Sequence, residues 1–295
     1  MAHLYFINPQ AITKYQSLKM KPSLLLSILL FNSVAVLAQT SFKGRVTDAE
    51  NNRPIPYVSI GIINKADGTV SNIEGEFKLD LIAGVNDSDT LRISSIGYQS
   101  RVFLVGELTR KFKEGALNVA LLKTVTELKP VAVNAKHATV KILGYPTTSK
   151  LLGVGFGTNS IGSQGGIKLA VKQQNTNIES LSFFIIQNSF ESLTFRVNVY
   201  QMTDGRPGDN ILTGNVIFKV EGKQTGKITV DLTPYDIYVD KDVLIALEWI
   251  EAKPAASGTL DVAAVVFGST YFRQASQYYW KKKGTGLGLS VKINY

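Results

Sequence analysis

The stretch Gly68-Thr-Val-Ser-Asn-Ile-Glu-Gly75-Glu-Phe77 most constrains what this chain can fold into. Val70 and Ile73 flank a polar Ser71-Asn72 pair, Gly75 supplies permissive backbone, and Phe77, Leu79 and Leu81 alternate with Lys78 and Asp80. Alternation of period two on both sides of small turn-forming residues predicts two strands with a turn between them. The signature is architectural and speaks to fold more than to activity.

The same pattern runs through the surrounding residues. Phe42-Lys-Gly-Arg-Val46, Tyr57-Val-Ser-Ile-Gly-Ile-Ile63, Thr90-Leu-Arg-Ile-Ser-Ser-Ile96, Arg101-Val-Phe-Leu-Val105 and Ala116-Leu-Asn-Val-Ala-Leu-Leu122 join the opening pair to give seven short strands between turns. No segment here has a long helical period. This spacing predicts a small β-sandwich over residues 39–123.

Several ordered motifs carry a family resemblance: Gly44-Arg-Val-Thr-Asp48, Pro54-Ile-Pro56-Tyr-Val-Ser-Ile60, Gly68-Thr-Val-Ser-Asn72, Glu74-Gly75-Glu-Phe77-Lys-Leu79 and Ile93-Ser-Ser-Ile-Gly97-Tyr98. The region resembles the carboxypeptidase-like regulatory domain of Bacteroidota envelope proteins. The resemblance implies a seven-stranded, transthyretin-like or immunoglobulin-like sandwich. It implies no peptidase activity, because that domain has no zinc ligands or catalytic glutamate of its own. Asn72 stands where the family often has an acidic residue.

Residues 124–150 read as a linker. Val125 to Asn134, with Pro130 unable to donate to a ladder, suggests an edge strand. It also resembles the segment before the plug of TonB-dependent outer-membrane receptors, but the remaining chain is too short for a plug and a large barrel. Residues 151–295 carry about eight further strand patterns, among them Thr194-Phe-Arg-Val-Asn-Val-Tyr200 and Val243-Leu-Ile-Ala-Leu-Glu-Trp-Ile250. They predict a second antiparallel sandwich of jelly-roll type, making the whole chain all-β. The order of Phe195 to Tyr200, Pro207-Gly208, Val230-Asp-Leu232 and Ala246 to Trp249 also resembles sandwich domains, some carbohydrate-binding-like, that accompany the regulatory module in secreted proteins.

Residues 1–38 read as a leader. Lys19 and Lys21 precede the apolar run from Leu24 to Phe31 and on to Ala38, with Val36 and Ala38 before an expected cut at Gln39. This is the three-part pattern of a secretory signal peptide, and the run is shorter than the roughly 18 residues a spanning helix requires. Met20 is an alternative start to Met1. The absence of cysteine excludes disulfides, thiol catalysis, thiolate zinc sites and lipidation on an N-terminal cysteine.

The formal charge of +9 falls to +6 without the leader, which holds Lys14, Lys19, Lys21 and no acidic residue. Residues 124–150 hold half of that excess, so neither sandwich has the concentrated footprint of a nucleic-acid binder. Lys281-Lys282-Lys283 reads as a solvated strand end.

Catalytic constellations are thin. His3 falls in the leader and His137 in the linker, so a serine–histidine triad has no proton shuttle. Glu248, Glu251 and Asp231 are candidates for a two-carboxylate glycosidase, but strand alternation places Glu248 and Glu251 on opposite faces. Gly153-Val-Gly-Phe-Gly157 and Gly165-Gly166 lack the lysine and hydroxyl of a phosphate loop. Asp236, Asp240 and Asp242 cluster near a turn and offer oxygens for a structural calcium, the one cofactor considered. Turn aspartates also commonly serve backbone donors. Tyr271, Arg273, Tyr279 and Trp280 form the candidate ligand site. Alternation sets Tyr278 and Trp280 on one face and Tyr279 on the other, and exposed rings stack on sugar faces.

These readings converge on an exported, non-enzymatic envelope protein, periplasmic or outer-membrane and surface associated, with no membrane span after leader removal. Its second sandwich is expected to bind a glycan or a partner protein and not nucleic acid. The competing expectations are a hydrolase accessory or cryptic glycoside hydrolase, and a subunit docked to a TonB-dependent receptor.

Overall fold

Alternating apolar side chains need a second apolar face to cover them, and the N-terminal module supplies both faces. The structure, a computed structural model, describes residues 41–82, 84–112, 116–124, 139–156, 161–254 and 258–295. The expected leader and most of the expected linker, with His3 and His137, lie outside the described residues. The module runs through β1 (Ser41–Asp48), β2 (Ser59–Ile62), β3 (Gly68–Val70), β4 (Glu76–Asp80), β5 (Thr90–Ser94), β6 (Arg101–Leu104), helix α1 (Val105–Lys111) and β7 (Leu117–Leu121). One sheet has the order β4-β1-β7 and the other β3-β2-β5-β6. Pairing is antiparallel except between β1 and β7, which run parallel from Gly44 against Leu117 to Asp48 against Leu121. Phe42, Val46, Phe77, Leu79, Ile60, Leu91, Ile93 and Val119 meet between the sheets.

The opening motif folds as its composition predicts. Asn72 accepts the Glu76 amide on Oδ1 at 2.8 Å, and Ser71 accepts the Val58 amide on Oγ at 2.8 Å. Gly75 has φ +74°, and a Cβ there would lie 2.5 Å from the Val46 carbonyl oxygen. Only glycine meets both demands cheaply. One element departs from expectation: Val105, expected to end a strand, opens α1. Asp89 and Asp87 carbonyls accept the Val105 and Gly106 amides, and Val105 and Leu108 plug the end of the sandwich.

The second domain begins earlier than expected. β8 (Val140–Gly144), inside the predicted linker, pairs along its length with the last strand. The remaining strands are β9 (Gly153–Gly155), β10 (Gln164–Leu169), β11 (Thr176–Asn188), β12 (Ser192–Thr203), β13 (Arg206–Asn210), β14 (Val216–Glu221), β15 (Gly226–Asp231), β16 (Tyr238–Val239), β17 (Val243–Lys253), β18 (Leu260–Val265), β19 (Thr270–Arg273), β20 (Lys281–Lys283), β21 (Gly286–Leu287) and β22 (Leu289–Asn294). One sheet follows β13-β12-β17-β10-β19-β20, with β14 also on β12. The other follows β21-β18-β11-β22-β8, with β15 and β16 on β11 and β9 on β18. Phe183 of β11 and Phe195 of β12 meet edge to face, 6.2 Å between centroids, at the centre of the sandwich core. The protein is all-β.

Candidate ligand site between the two sandwiches

The strand β12 reads Leu193-Thr-Phe-Arg-Val-Asn-Val-Tyr200, so alternation sends leucine, phenylalanine and valines into the core and Thr194, Arg196, Asn198 and Tyr200 out of it. That outer face is covered. The start of β2 in the N-terminal module lies on it, and Arg196 and Glu248 of β17 are buried there as an ion pair, with side-chain exposures of 3% and 1% and a separation of 2.8 Å. Arg196 crosses between the modules: it donates to the Tyr57 carbonyl at 2.7 Å and to Ser59 Oγ at 2.9 Å. Glu248 also accepts from Asn198 Nδ2 at 2.7 Å. A buried pair is tolerable when its remaining donors and acceptors are met in this way.

The network extends across the sheet. Gln164 Oε1 accepts from the Tyr200 hydroxyl at 2.8 Å, which in turn accepts from Arg273 at 3.0 Å. Burial pushes the Tyr200 phenol up, opposed by the neighbouring Arg273 charge, so it stays protonated and able to donate. On the other side, Gln277 donates to Ser94 Oγ at 2.9 Å, and the Asn64 amide donates to the Gln277 carbonyl at 3.0 Å. Tyr57, Val70 and Ile250 add an apolar contact between the modules.

Beside this network a cavity of about 310 Å³ opens between the modules. The N-terminal module contributes Arg92, Ser94, Ser95 and Tyr98, and the second domain contributes Asn198, Tyr200, Asp209, Asn210, Glu248 and Arg273. Two polar atoms of the lining, Ser95 Oγ and Arg273 Nε, are buried without a hydrogen-bond partner. Such groups normally find a partner; here both are enclosed within the wall and are not presented to the open cavity.

The expected ligand residues divide. Arg273 lines the cavity and stacks its guanidinium over Trp280, 4.8 Å from the centroid. Trp280 meets Tyr200 edge to face at 5.4 Å, behind the cavity wall. Tyr271 is buried and donates to the Gly205 carbonyl. Tyr279, 44% exposed, stands apart from them, its ring 4.2 Å from that of Tyr278. Residues 278–280 follow a turn at Ser276 and Gln277 and lie outside any strand, so strand alternation does not set their faces.

The three aspartates lie at separate points of one loop region. Asp236 takes a left-handed backbone after the 3₁₀ turn Thr233–Tyr235. Asp240 accepts the Asn175 amide. Asp242 accepts the Val171 amide and pairs with Lys168 at 2.6 Å; Lys168 holds its carboxyl below the usual range. Among the described residues no three histidine, cysteine or acidic side chains come together as a metal-holding group.

The expectation that Glu248 and Glu251 face apart is wrong. Register shifts between Thr194 opposite Glu251 and Phe195 opposite Trp249, making Ile250 an extra residue. The bulge returns both glutamates to the covered face, where Glu251 accepts from Thr194 Oγ1 at 3.1 Å and Glu248 is spent on Arg196. Their placement fastens the modules together.

The sequence reading missed Arg196, Asn198, Tyr200 and Arg92, and it weighed Glu248 only as a glycosidase carboxylate. One signal was present: Val243-Leu-Ile-Ala-Leu-Glu-Trp-Ile250 is apolar almost throughout, the mark of a strand covered on both faces. A glutamate inside such a run needs a cation from whatever covers it or sits beside it.

Residues 42–133, about a third of the chain, match the family model of the CarboxypepD_reg-like domain. Comparison with curated proteins finds no match. Among solved structures, a clostridial cysteine protease, Cwp84 after propeptide cleavage, is 12% identical with a TM-score of 0.40 over 52% of this chain and 40% of that one. The cysteine protease and lectin-like domains of Cwp84, a surface layer associated protein of Clostridium difficile, are 11% identical with a TM-score of 0.40 over 80% and 58%. Infectious bursal disease virus, Gx strain, is 9% identical with a TM-score of 0.29 over 86% and 62%. The chain spans less than two thirds of the length of each. Scores this low carry no functional argument.

Proposed function

We propose that this is an exported, non-enzymatic binding protein of a cell envelope, in which the two sandwiches hold a small hydroxylated acid, such as the uronic-acid end of a glycan, between them. The observation that carries the reading is the cavity itself, walled by both modules and lined by Arg92 from one and Arg273 from the other. Two arginines suit a carboxylate, while Ser94, Tyr98, Asn198 and Asn210 suit hydroxyl groups. The volume is at the low end for small-molecule sites and fits a sugar-sized ligand. The match to the CarboxypepD_reg-like domain supports a structural role for the N-terminal module, and Glu248 is bound up in an ion pair and offers no free acid.

Calorimetric titration of the full chain with glucuronate, galacturonate and neutral hexoses tests the reading. A uronate is expected to bind, and Arg273→Gln to weaken it by at least about tenfold, the loss of one charge-assisted contact. Absence of binding at millimolar concentration, or equal binding by Arg273→Gln, overturns it.

A further inference from the structure

The three most exposed large apolar side chains among the described residues gather at one end of the second sandwich. They are Leu151 at 98%, Phe267 at 91% and Val266 at 66%. Hydrogen bonds fix their neighbourhood. The Ala264 amide donates to the Leu152 carbonyl, which sets Leu151 beside the end of β18. Val265 pairs with Gly286 of β21, and the Ser269 amide donates to the Tyr145 hydroxyl at 2.9 Å. Thr270 pairs with Lys283 across β19 and β20, and its hydroxyl donates to the Thr285 carbonyl at 2.7 Å. Segments 145–152, 264–270 and 281–287 therefore form one tip.

That tip holds Lys150, Lys281, Lys282 and Lys283 and no aspartate or glutamate. Lys150, Lys282 and Lys283 are exposed. Leucine and phenylalanine left almost wholly in water touch little of their own chain, so they project as points and line no groove. A protein partner must offer a pocket shaped to receive such points, whereas a bilayer accommodates them without a shaped receptor. The lysine collar selects the sign of that surface, since basic residues near anionic lipid are each favourable within a screening length. Apolar points inside a basic rim are the arrangement that holds a peripheral protein at the headgroup boundary.

We propose that this tip docks the protein on an anionic phospholipid surface, with Leu151, Val266 and Phe267 entering the headgroup boundary and the lysines meeting lipid phosphates. The proposal is independent of the cavity between the modules. No helix among the described residues is long and apolar enough to cross a membrane, and the tip requires none.

Flotation of the full chain with vesicles of phosphatidylglycerol and phosphatidylcholine, against phosphatidylcholine alone, tests it. The chain is expected to float with the anionic vesicles only and to be released at about 0.5 M salt, where the screening length falls to roughly 4 Å. Lys150→Gln and Lys283→Gln should each lower partitioning about fivefold. The double variant Leu151→Ser, Phe267→Ser should lower it at least about tenfold while leaving the thermal unfolding midpoint unchanged, because neither side chain is buried. Failure to float with anionic vesicles overturns the proposal. Flotation unaffected by the serine pair also overturns it, leaving electrostatic adsorption alone. Self-association abolished by the serine pair, without flotation, overturns it in favour of a contact between copies.

Discussion

Gly68 belongs to the stretch that announces the fold, but its own conformation is ordinary. What demands glycine there is the second domain. A Cβ on Gly68 would lie 2.3 Å from the Ser276 carbonyl oxygen, and one on Gly61 of the neighbouring strand would meet the same oxygen at 2.3 Å. The two glycines form a flat seat for the turn at Ser276. Backbone cannot give way as a flexible side chain does, so Gly68→Ala should cost about 1–3 kcal/mol. The thermal unfolding midpoint should fall for Gly68→Ala and hold for Gly214→Ala, whose Cβ would meet nothing within 4 Å. Equal midpoints for the two variants would contradict the seat.

At the scale of elements, Asp48 gathers three ends. Its carboxylate accepts the Glu50 amide at 2.8 Å and the Tyr98 hydroxyl at 3.1 Å, and Lys123 lies 3.3 Å away. The end of β1, the turn after β5 and the residues after β7 are thereby joined. The Glu50 amide, with Tyr98 and Lys123 assisting against burial, holds the Asp48 carboxyl below its ordinary 3.8. A depressed folded pKa means stability that is present above the unfolded value and lost as pH falls through the folded one. Asp48→Asn should therefore be less stable than the parent at pH 7, with the gap in urea midpoint narrowing below about pH 4. A gap that stays constant into acid would remove the linkage.

Elements with a full apolar alternation, such as β1, β4, β7 and β12, were legible in the sequence because burial wrote their pattern. α1 was not, since seven residues with two core contacts carry too little helical period to distinguish from the strand before them. Nor was β8, whose Val140 and Ile142 are exposed, so that backbone pairing with β22 and not burial defines it. The candidate site was legible only in part. Arg273 stood out by its aromatic neighbours, whereas Arg196, Asn198 and Tyr200 occupy what alternation marks as an outward face. A strand pattern reports which face leaves its own core and is silent on what covers it.

At the scale of the molecule, residues 40–295 form one compact unit, and Arg196 with Glu248 is the buried polar centre of the contact. Arg196→Ala leaves Glu248 buried without its cation and should cost about 3–5 kcal/mol. The pair Arg196→Met, Glu248→Leu should cost less than the sum of its single changes. Calorimetry of the parent should show one transition, and Arg196→Ala should separate it into two. A parent that already unfolds in two steps would deny the coupling of the modules.

Each sandwich also closes by bringing its first and last strands together, β1 against β7 in one and β8 against β22 in the other. In the second domain β22 is an inner strand, with β11 on its far side, so the sheet has a gap until the final strand arrives. Pairings this distant in sequence carry a heavy loop-closure entropy before they return any contact energy. The N-terminal module has all seven of its strands by residue 121 and can close while the remainder is still emerging. Contact separation therefore gives folding an expected direction: the first sandwich stands ready with its glycine seat on β2 and β3, and the second sandwich closes against a surface already in place.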